Sequence, residues 1–302
     1  MTDPSPTPVR EPRHVARLSR TFSERLSAVD LAEPLLSLDA NQPATTGAEL
    51  LRKRNVSVLG VRREGSVAGW AGAANLAGGT VGECARAFRP GEVLEETDGF
   101  HSVLSALAGA EHVFVEWLGE VAAVITRRDL QKPPLRMWLF GAITVLDTNL
   151  TWAIEQLYPG DSWHRCVTPH RYEKAQALHA ERQRRGDGCR LADCLQIKDK
   201  ADILMREDNA LALLGLKSRR EADRFTRDIE MLRNHLAHAQ ILEDEHLTTA
   251  ARLATFIDSI VGAEVTRRLV ETQLKMAGSD SPLHQIAISP SRIAPPPPPG
   301  TP

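Results

Sequence analysis

The residues before position 131 repeat themselves at a spacing of 54 residues without a gap. Six pairs of positions carry the match: Leu50 with Leu104, Val61 with Val115, Gly65 with Gly119, Val67 with Val121, Asn75 with Asp129, and Leu76 with Leu130. Each copy predicts a helix, a strand, a tight glycine turn, a second strand and a short closing helix. Because a unit this small cannot bury both faces of its sheet, we expect the two copies to pack together.

The repeat resembles a tandem pair of CBS domains, each a β-α-β-β-α unit, over residues 33–132. The resemblance is most specific in the second copy, where GEVAAVITRRDL has an apolar strand followed by T-x-x-D and Leu. It implies that Thr126 lies near a ligand phosphate and that Asp129 accepts hydrogen bonds from the ribose of an adenosine-type ligand. A hydroxyl and a helix-starting N–H group suit a phosphate, and the neighbouring Arg127 and Arg128 could neutralise its charge.

The first copy departs from this motif. Gly72 stands where the second copy has Thr126, and Asn75 stands where it has Asp129. We therefore expect at most one good adenosyl-ligand site, centred on the second copy, with Asn75 as its counterpart in the first. T-x-x-D-L is also an ordinary helix N-cap with an acidic third position, so a purely structural role stays open.

The pattern changes at Gln131-Lys132-Pro133-Pro134, where two prolines suit the first turn of a new helix. Beyond this point apolar residues recur at helical spacing, which predicts an all-α bundle over residues 135–276. We expect five helices, at 136–158, 171–186, 191–206, 218–240 and from 245 into the 260s, with an extension to 276 left open. The predicted fold is therefore a two-domain α+β protein, flanked by a disordered or variable segment (1–30) and a disordered proline-rich tail (279–302).

The fourth of these helices has two distinct faces. A core stripe of Phe225, Ile229, Leu232 and Leu236 falls within a narrow arc, at about 100° per residue. Arg227, Glu230, Asn234 and His238 lie nearly opposite, and Arg233 falls between the two faces. A set of groups able to donate protons or bind phosphate is thus predicted to point away from the core.

This R-N-x-x-x-H string resembles the motif of HEPN domains, helical bundles that often act as metal-independent ribonucleases. The resemblance implies that Arg233 and His238 are the catalytic pair, with Asn234 as the polar position after the arginine. It further implies a homodimer whose two motifs form one cleft and cleave RNA by attack of its own 2′-hydroxyl. His238 would transfer the proton and Arg233 would stabilise phosphate charge, with no metal or other catalytic cofactor.

Other interpretations of the helical region remain open. The short motif can arise by chance as a solvated helix face, and His235 with His238 could hold a metal only if a third ligand existed. The basic stretch 171–185 could flank an RNA site or simply keep the surface soluble. Asp199 and Lys200 receive no role beyond salt bridging.

Composition excludes several classes of protein. The formal net charge of −2 argues against a protein that binds polyanions over its whole surface. Four scattered cysteines provide neither a disulfide framework nor a C-x-x-C pair. The N-terminal stretch lacks the apolar core of a secretory signal, and the apolar run 137–146 is about half a membrane span. We therefore expect a cytoplasmic protein without a membrane partner.

Together these patterns predict an adenine-nucleotide-sensing module, with AMP, ATP or a related adenosyl compound as ligand, that controls an RNA-cleaving or RNA-binding helical domain. Coupling would run through the helix that starts near Arg136. The competing interpretation is a non-enzymatic sensor whose bundle only dimerises or binds a partner. A third is a bundle that binds or accepts nucleotides without nuclease action.

Overall fold

The computed structural model describes residues 26–207 and 217–261. In this part of the chain the strands are β1 (Glu33–Pro34), β2 (Ser37–Asp39), β3 (Val58–Arg63), β4 (Ser66–Gly72), β5 (Val93–Glu95), β6 (His112–Trp117) and β7 (Glu120–Thr126). The α-helices are α1 (Ala44–Arg54), α2 (Phe100–Gly109), α3 (Pro133–Leu157), α4 (Pro169–Arg184), α5 (Ile197–Leu204), α6 (Arg219–Ala237) and α7 (Asp244–Val261). The predicted tail 279–302, the helix extension to 276 and residues 1–25 of the N-terminal segment lie outside the described residues.

The 54-residue repeat is reproduced in the two hairpins. Strands β3 and β4 correspond residue for residue to β6 and β7, and each pair has one register shift, after Val61 and after Val115. In the first turn Glu64 and Gly65 have φ of 53° and 91°, and in the second Leu118 and Gly119 have 54° and 84°. Two successive left-handed residues form the hairpin turn that matches the twist of the strands.

Each hairpin is completed by a short parallel strand, which gives the sheet orders β2-β3-β4 and β1-β7-β6-β5. Strand β1 precedes β2 in the chain but pairs antiparallel with β7 of the second copy, placing Glu33 beside Val124. The closing helices predicted for both copies are short 3-10 turns instead, at Ala73–Asn75 and Arg127–Gln131. Lys132 precedes a proline and is extended, so the second turn cannot run directly into α3.

Three hydrophobic clusters hold the described chain together. One lies within the first copy around Leu51 and Leu59, and a second lies between the two sheets around Trp70 and Phe114. The largest extends from the second copy through α3 into the other helices. The predicted boundary near residue 132 is therefore spanned by one continuous core. Ala28 and Leu31 are also fully buried in it, so residues 26–30 of the segment predicted as disordered belong to the folded part.

Two helices differ from the sequence prediction, one at its start and the other at its end. The predicted third helix is wrong in its first half, because Leu191–Cys194 is a 3-10 turn and the chain is extended before α5. Asp193 accepts hydrogen bonds from the backbone and guanidinium of Arg190, which closes this turn locally. Helix α6 ends at Ala237 rather than near residue 240, since Ala239 has a φ of 52°.

Helix α3 forms the centre of the helical region. Among the described residues it is the one helix long and apolar enough to cross a membrane, but most of that length is buried inside the protein. Its contacts include a fully buried lysine, Lys200 of α5, whose Nζ lies 2.7 Å from Asp147 Oδ1. This buried position of α3 is consistent with the core helix of a soluble protein.

Candidate functional site

A cavity of about 430 Å³ lies where the second copy meets the first. One wall is the turn after β7, residues 126–129, and the opposite wall is residues 55–58, which join α1 to β3. Glu33 of β1 and Glu111, just before β6, complete the charged lining. Four predicted ligand-binding residues, Thr126, Arg127, Arg128 and Asp129, are therefore brought together in one cavity.

Thr126 and Asp129 contact each other in this cavity wall. Asp129 Oδ2 accepts hydrogen bonds from Thr126 N (2.7 Å) and Thr126 Oγ1 (2.8 Å), which caps the 3-10 turn that follows. Asp129 is only 8% exposed. The structural role of T-x-x-D as an N-cap is thus present, and a ligand that used the Asp129 carboxylate would have to share it with this cap.

Lys132 supports the same carboxylate from outside the lining. Its Nζ lies 3.0 Å from Asp129 Oδ1 and 2.5 Å from Glu33 Oε1, and it donates to the carbonyl of Leu31 at 2.6 Å. Burial by itself would lower the pKa of Lys132, but the hydrogen bonds to Glu33 and Asp129 outweigh it and raise the pKa above its ordinary value. The ammonium therefore stays charged at neutral pH and ties β1 to the cavity wall.

The two arginines of the motif have different partners. Arg127 Nε donates to the carbonyl of Ala110 at 3.2 Å, and its Nη1 lies 3.1 Å from Asp244 Oδ2 and 3.6 Å from Glu111 Oε1. Arg128 is exposed, and its Nη1 donates to the carbonyl of Asn55 at 3.3 Å. Arg127 thus links the cavity wall to the first turn of α7. The sequence had predicted that this side chain neutralises a ligand phosphate, and it did not predict the link to α7.

Asn75 does not belong to this group. It ends the 3-10 turn after β4, in the first copy, and is not among the residues that line the cavity. Its position repeats that of Asp129 at the 54-residue spacing, but Gly72 offers no hydroxyl for the reciprocal cap made by Thr126. The structure therefore separates Asn75 from the other four predicted ligand-binding residues.

The R-N-x-x-x-H residues lie at the C-terminal end of α6, and all three are exposed. Phe225, Ile229 and Leu232 are buried, while Leu236 is half-buried at the end of the stripe. Arg233 Nη2 donates to Asn234 Oδ1 at 3.3 Å, and the backbone N–H of His238 donates to the carbonyl of Asn234. Within the described chain no group of three or more metal-ligating side chains is found.

Three side chains connect the turn beside the cavity and the start of α3 to residues 235–244, which run from the end of α6 to the first residue of α7. Besides Arg127 with Asp244, Gln131 Nε2 donates to the carbonyl of Leu242 at 2.7 Å, and Gln131 Oε1 accepts from the N–H of Leu242 at 3.0 Å. Arg136 donates to the carbonyls of Gln240 (2.8 Å) and His235 (3.3 Å). The loop after the R-N-x-x-x-H residues is thus held by the segment that follows the cavity.

Sequence reasoning did not identify Glu33, Lys132 or Gln131 as part of this arrangement. Glu33 lies in a two-residue strand with no detectable periodicity, and Gln131 makes its contacts across 111 residues. The only available signal was proximity: Gln131 and Lys132 follow the T-x-x-D motif directly.

No family model matches the chain, and no curated protein matches it either. Among solved structures, the CBS-pair protein CBSX2 from Arabidopsis thaliana is 15% identical, with a TM-score of 0.34, over 37% of this chain and 96% of that one. CBSX2 has also been solved in complex with AMP.

Two further solved structures match over a similar share of the chain. The CBS domain of a bacterial CNNM/CorC family Mg²⁺ transporter, in complex with ATP, is 18% identical over 39% of this chain and 93% of that one, with a TM-score of 0.31. An uncharacterized conserved protein from Pyrococcus horikoshii is 16% identical over 35% of this chain and 90% of that one, with a TM-score of 0.32. CBS-domain pairs are thus what the N-terminal region is similar to, and the helical region draws no support from these matches.

Proposed function

We propose that this chain is a cytoplasmic regulatory protein that binds an adenosyl ligand, such as AMP, in the cavity beside Thr126 and Asp129 and passes the bound state to its helical region. The observation that carries this proposal is the set of hydrogen bonds from Arg127, Gln131 and Arg136 to the loop between α6 and α7 and to the first residue of α7. Arg127 of the cavity wall therefore contacts the first residue of α7, and Gln131 at the end of the same turn contacts the loop, although more than 100 residues separate the two segments.

A ligand in the cavity would act first on residues 126–129. Arg127 lines the cavity and also pairs with Asp244, so a ligand that shifts the turn at residues 126–129 would shift this pair with α7. A ligand hydroxyl on Asp129 would redistribute the hydrogen bonds of the turn that ends at Gln131. Both effects shift the position of the α6–α7 loop. By thermodynamic linkage, a partner that fixes this loop changes ligand affinity by the same factor by which the ligand changes the affinity for that partner.

The experiment is calorimetric titration of the full chain with AMP, together with hydrogen exchange of residues 235–244. We expect binding that slows or speeds exchange in this loop. Val56→Trp is the blocking variant, because Val56 lines the cavity and is 42% exposed, so the larger ring fills the cavity without disturbing the core. Asn75→Ala is the matched control in the other copy. Binding that survives Val56→Trp but is lost in Asn75→Ala would place the ligand elsewhere.

A second candidate function is metal-independent RNA cleavage by Arg233, Asn234 and His238. What supports it is that all three polar side chains are exposed at one end of α6, the end held by Arg136. Here His238 would transfer the proton and Arg233 would stabilise charge on the phosphate. The proposal includes a homodimer in which two such α6 ends form one cleft, and light scattering of the purified chain tests that assembly.

The cleavage assay uses a mixed RNA pool in EDTA, with and without AMP. We expect cleavage that His238→Ala abolishes and that His170→Ala, an exposed histidine on α4, leaves unchanged. Cleavage insensitive to His238→Ala would contradict this site. Cleavage absent from all samples of a folded, AMP-binding protein would favour the non-enzymatic sensor, in which the helices only dimerise or bind a partner.

A further inference from the structure

Most of the charge around the cavity is already paired. Lys132 contacts both Glu33 and Asp129, and Arg127 contacts both Glu111 and Asp244. Each of these two cations therefore faces two carboxylates. The lining itself carries three carboxylates, Glu33, Glu111 and Asp129, against two arginines, which is an excess of negative charge.

Arg128 is the exception. Its side chain is exposed on the cavity wall and donates to a backbone carbonyl, that of Asn55. Throughout residues 26–207 and 217–261, no carboxylate lies within 4.0 Å of its guanidinium. Because a carbonyl oxygen does not neutralise a full positive charge, Arg128 is the cation of the lining that remains available to an anionic ligand.

From this charge balance we infer that the cavity selects a nucleoside-type ligand with no more than one phosphate group, and that Arg128 contacts that phosphate. The inference rests on the proposed ligand-binding function and narrows its ligand class. One phosphate monoester carries a charge of about −1.5 to −2, which a planar guanidinium can bind through two parallel hydrogen bonds. Further phosphates would meet the excess carboxylates instead of another free cation.

The size of this selectivity follows from the exposure of the carboxylates. The Glu33 and Glu111 side chains are 59% and 83% exposed, so water and salt screen them. At such positions one unpaired charge a few ångströms from a like charge changes an equilibrium constant by roughly fivefold. Two extra charges then weaken binding by roughly 25-fold, which screening by salt reduces towards about tenfold.

The test is calorimetric titration of the full chain with adenosine, AMP and ATP, in EDTA so that ATP keeps its full charge. We expect AMP to bind at least about tenfold more tightly than ATP, with a gap that narrows as salt is added. Arg128→Gln removes the charge, so it should weaken AMP by about fivefold and leave adenosine, which has no phosphate, unchanged. Arg52→Gln, an exposed arginine of α1 away from the cavity lining, is the matched control.

The outcomes separate this inference from the proposed function. The charge selectivity would be overturned if ATP bound as tightly as AMP, or if Arg128→Gln weakened the binding of adenosine and AMP equally. Either result would leave the proposed ligand-binding function intact. Failure of adenosine, AMP and ATP alike to bind would overturn the proposed function, and the inference with it. Glu111→Gln is an independent test. Because it removes one lining carboxylate, it should narrow the difference in affinity between AMP and ATP.

Discussion

Replacing Asp147 by alanine would strand a buried ammonium group. Lys200 has no exposed surface, and its Nζ lies 2.7 Å from Asp147 Oδ1 in the ion pair that joins α5 to α3. Removing one partner of a buried pair costs about 3–5 kcal/mol, because the remaining charge keeps its desolvation penalty. The Asp147 side chain is 38% exposed, so water can enter the space left by the carboxylate. We therefore expect a loss near the lower limit, about 3 kcal/mol.

Urea unfolding followed by circular dichroism at pH 7 measures this loss. Asp202→Ala is the matched control, because Asp202 pairs with Lys198 at 2.9 Å on the same helix but both side chains are partly exposed. That substitution should cost less than about 1 kcal/mol. The double variant Asp147→Leu with Lys200→Met should recover most of the loss, since well-packed apolar residues often replace a buried pair without cost. Equal losses for Asp147→Ala and Asp202→Ala would refute the assignment of Lys200 as a buried charge.

Three further predictions follow from other contacts. Leu139→Ala, at a position of α3 with no exposed surface, should lower the free energy of unfolding by about 2–5 kcal/mol in the same urea assay, whereas Leu178→Ala at a 47% exposed position should cost far less. Burial lowers the pKa of His112 against the opposing effect of Glu92 and Glu111, so the unfolded chain binds the proton more readily than the folded chain. The free energy of unfolding should therefore fall as the pH drops below about 6.5, and His112→Phe should flatten this dependence between pH 8 and pH 5.5. Gln131→Leu should lower the free energy of unfolding by about 1–3 kcal/mol, because it leaves the backbone N–H and carbonyl of Leu242 unpaired, and should leave AMP affinity within about threefold. It should also abolish the effect of AMP on hydrogen exchange in residues 235–244, and retention of that effect would contradict a route through Gln131.

The parts of the fold that were predictable depend on short-range chemistry. The hairpin turns at Gly65 and Gly119 were readable because left-handed backbone favours glycine, and both turns occupy the same place in the 54-residue repeat. The buried stripe Phe225, Ile229 and Leu232 was readable because helical periodicity repeats within one segment. Helix ends were less predictable, since Ala239 adopts a left-handed conformation that no glycine signals.

The candidate site was predictable in its motif but not in its surroundings. Thr126 and Asp129 stand three residues apart, so their contact is local and the T-x-x-D pattern indicated it. The partners of Arg127 could not be foreseen, because Asp244 lies 117 residues away and one exposed carboxylate resembles another in sequence. The expectation that both arginines neutralise a ligand phosphate therefore applies in our proposal to Arg128 alone.

By itself, the sequence determined the repeat, its hairpins, the helical second half and the position of the T-x-x-D and R-N-x-x-x-H residues. These depend on periodicity and on conformations set by neighbouring residues. Only the tertiary structure decided that β1 crosses to the second sheet, that one core continues from the second copy into α3, and that the turn after β7 contacts the α6–α7 loop. Such contacts depend on which surfaces meet after the chain closes long loops, and a local sequence pattern does not contain that information.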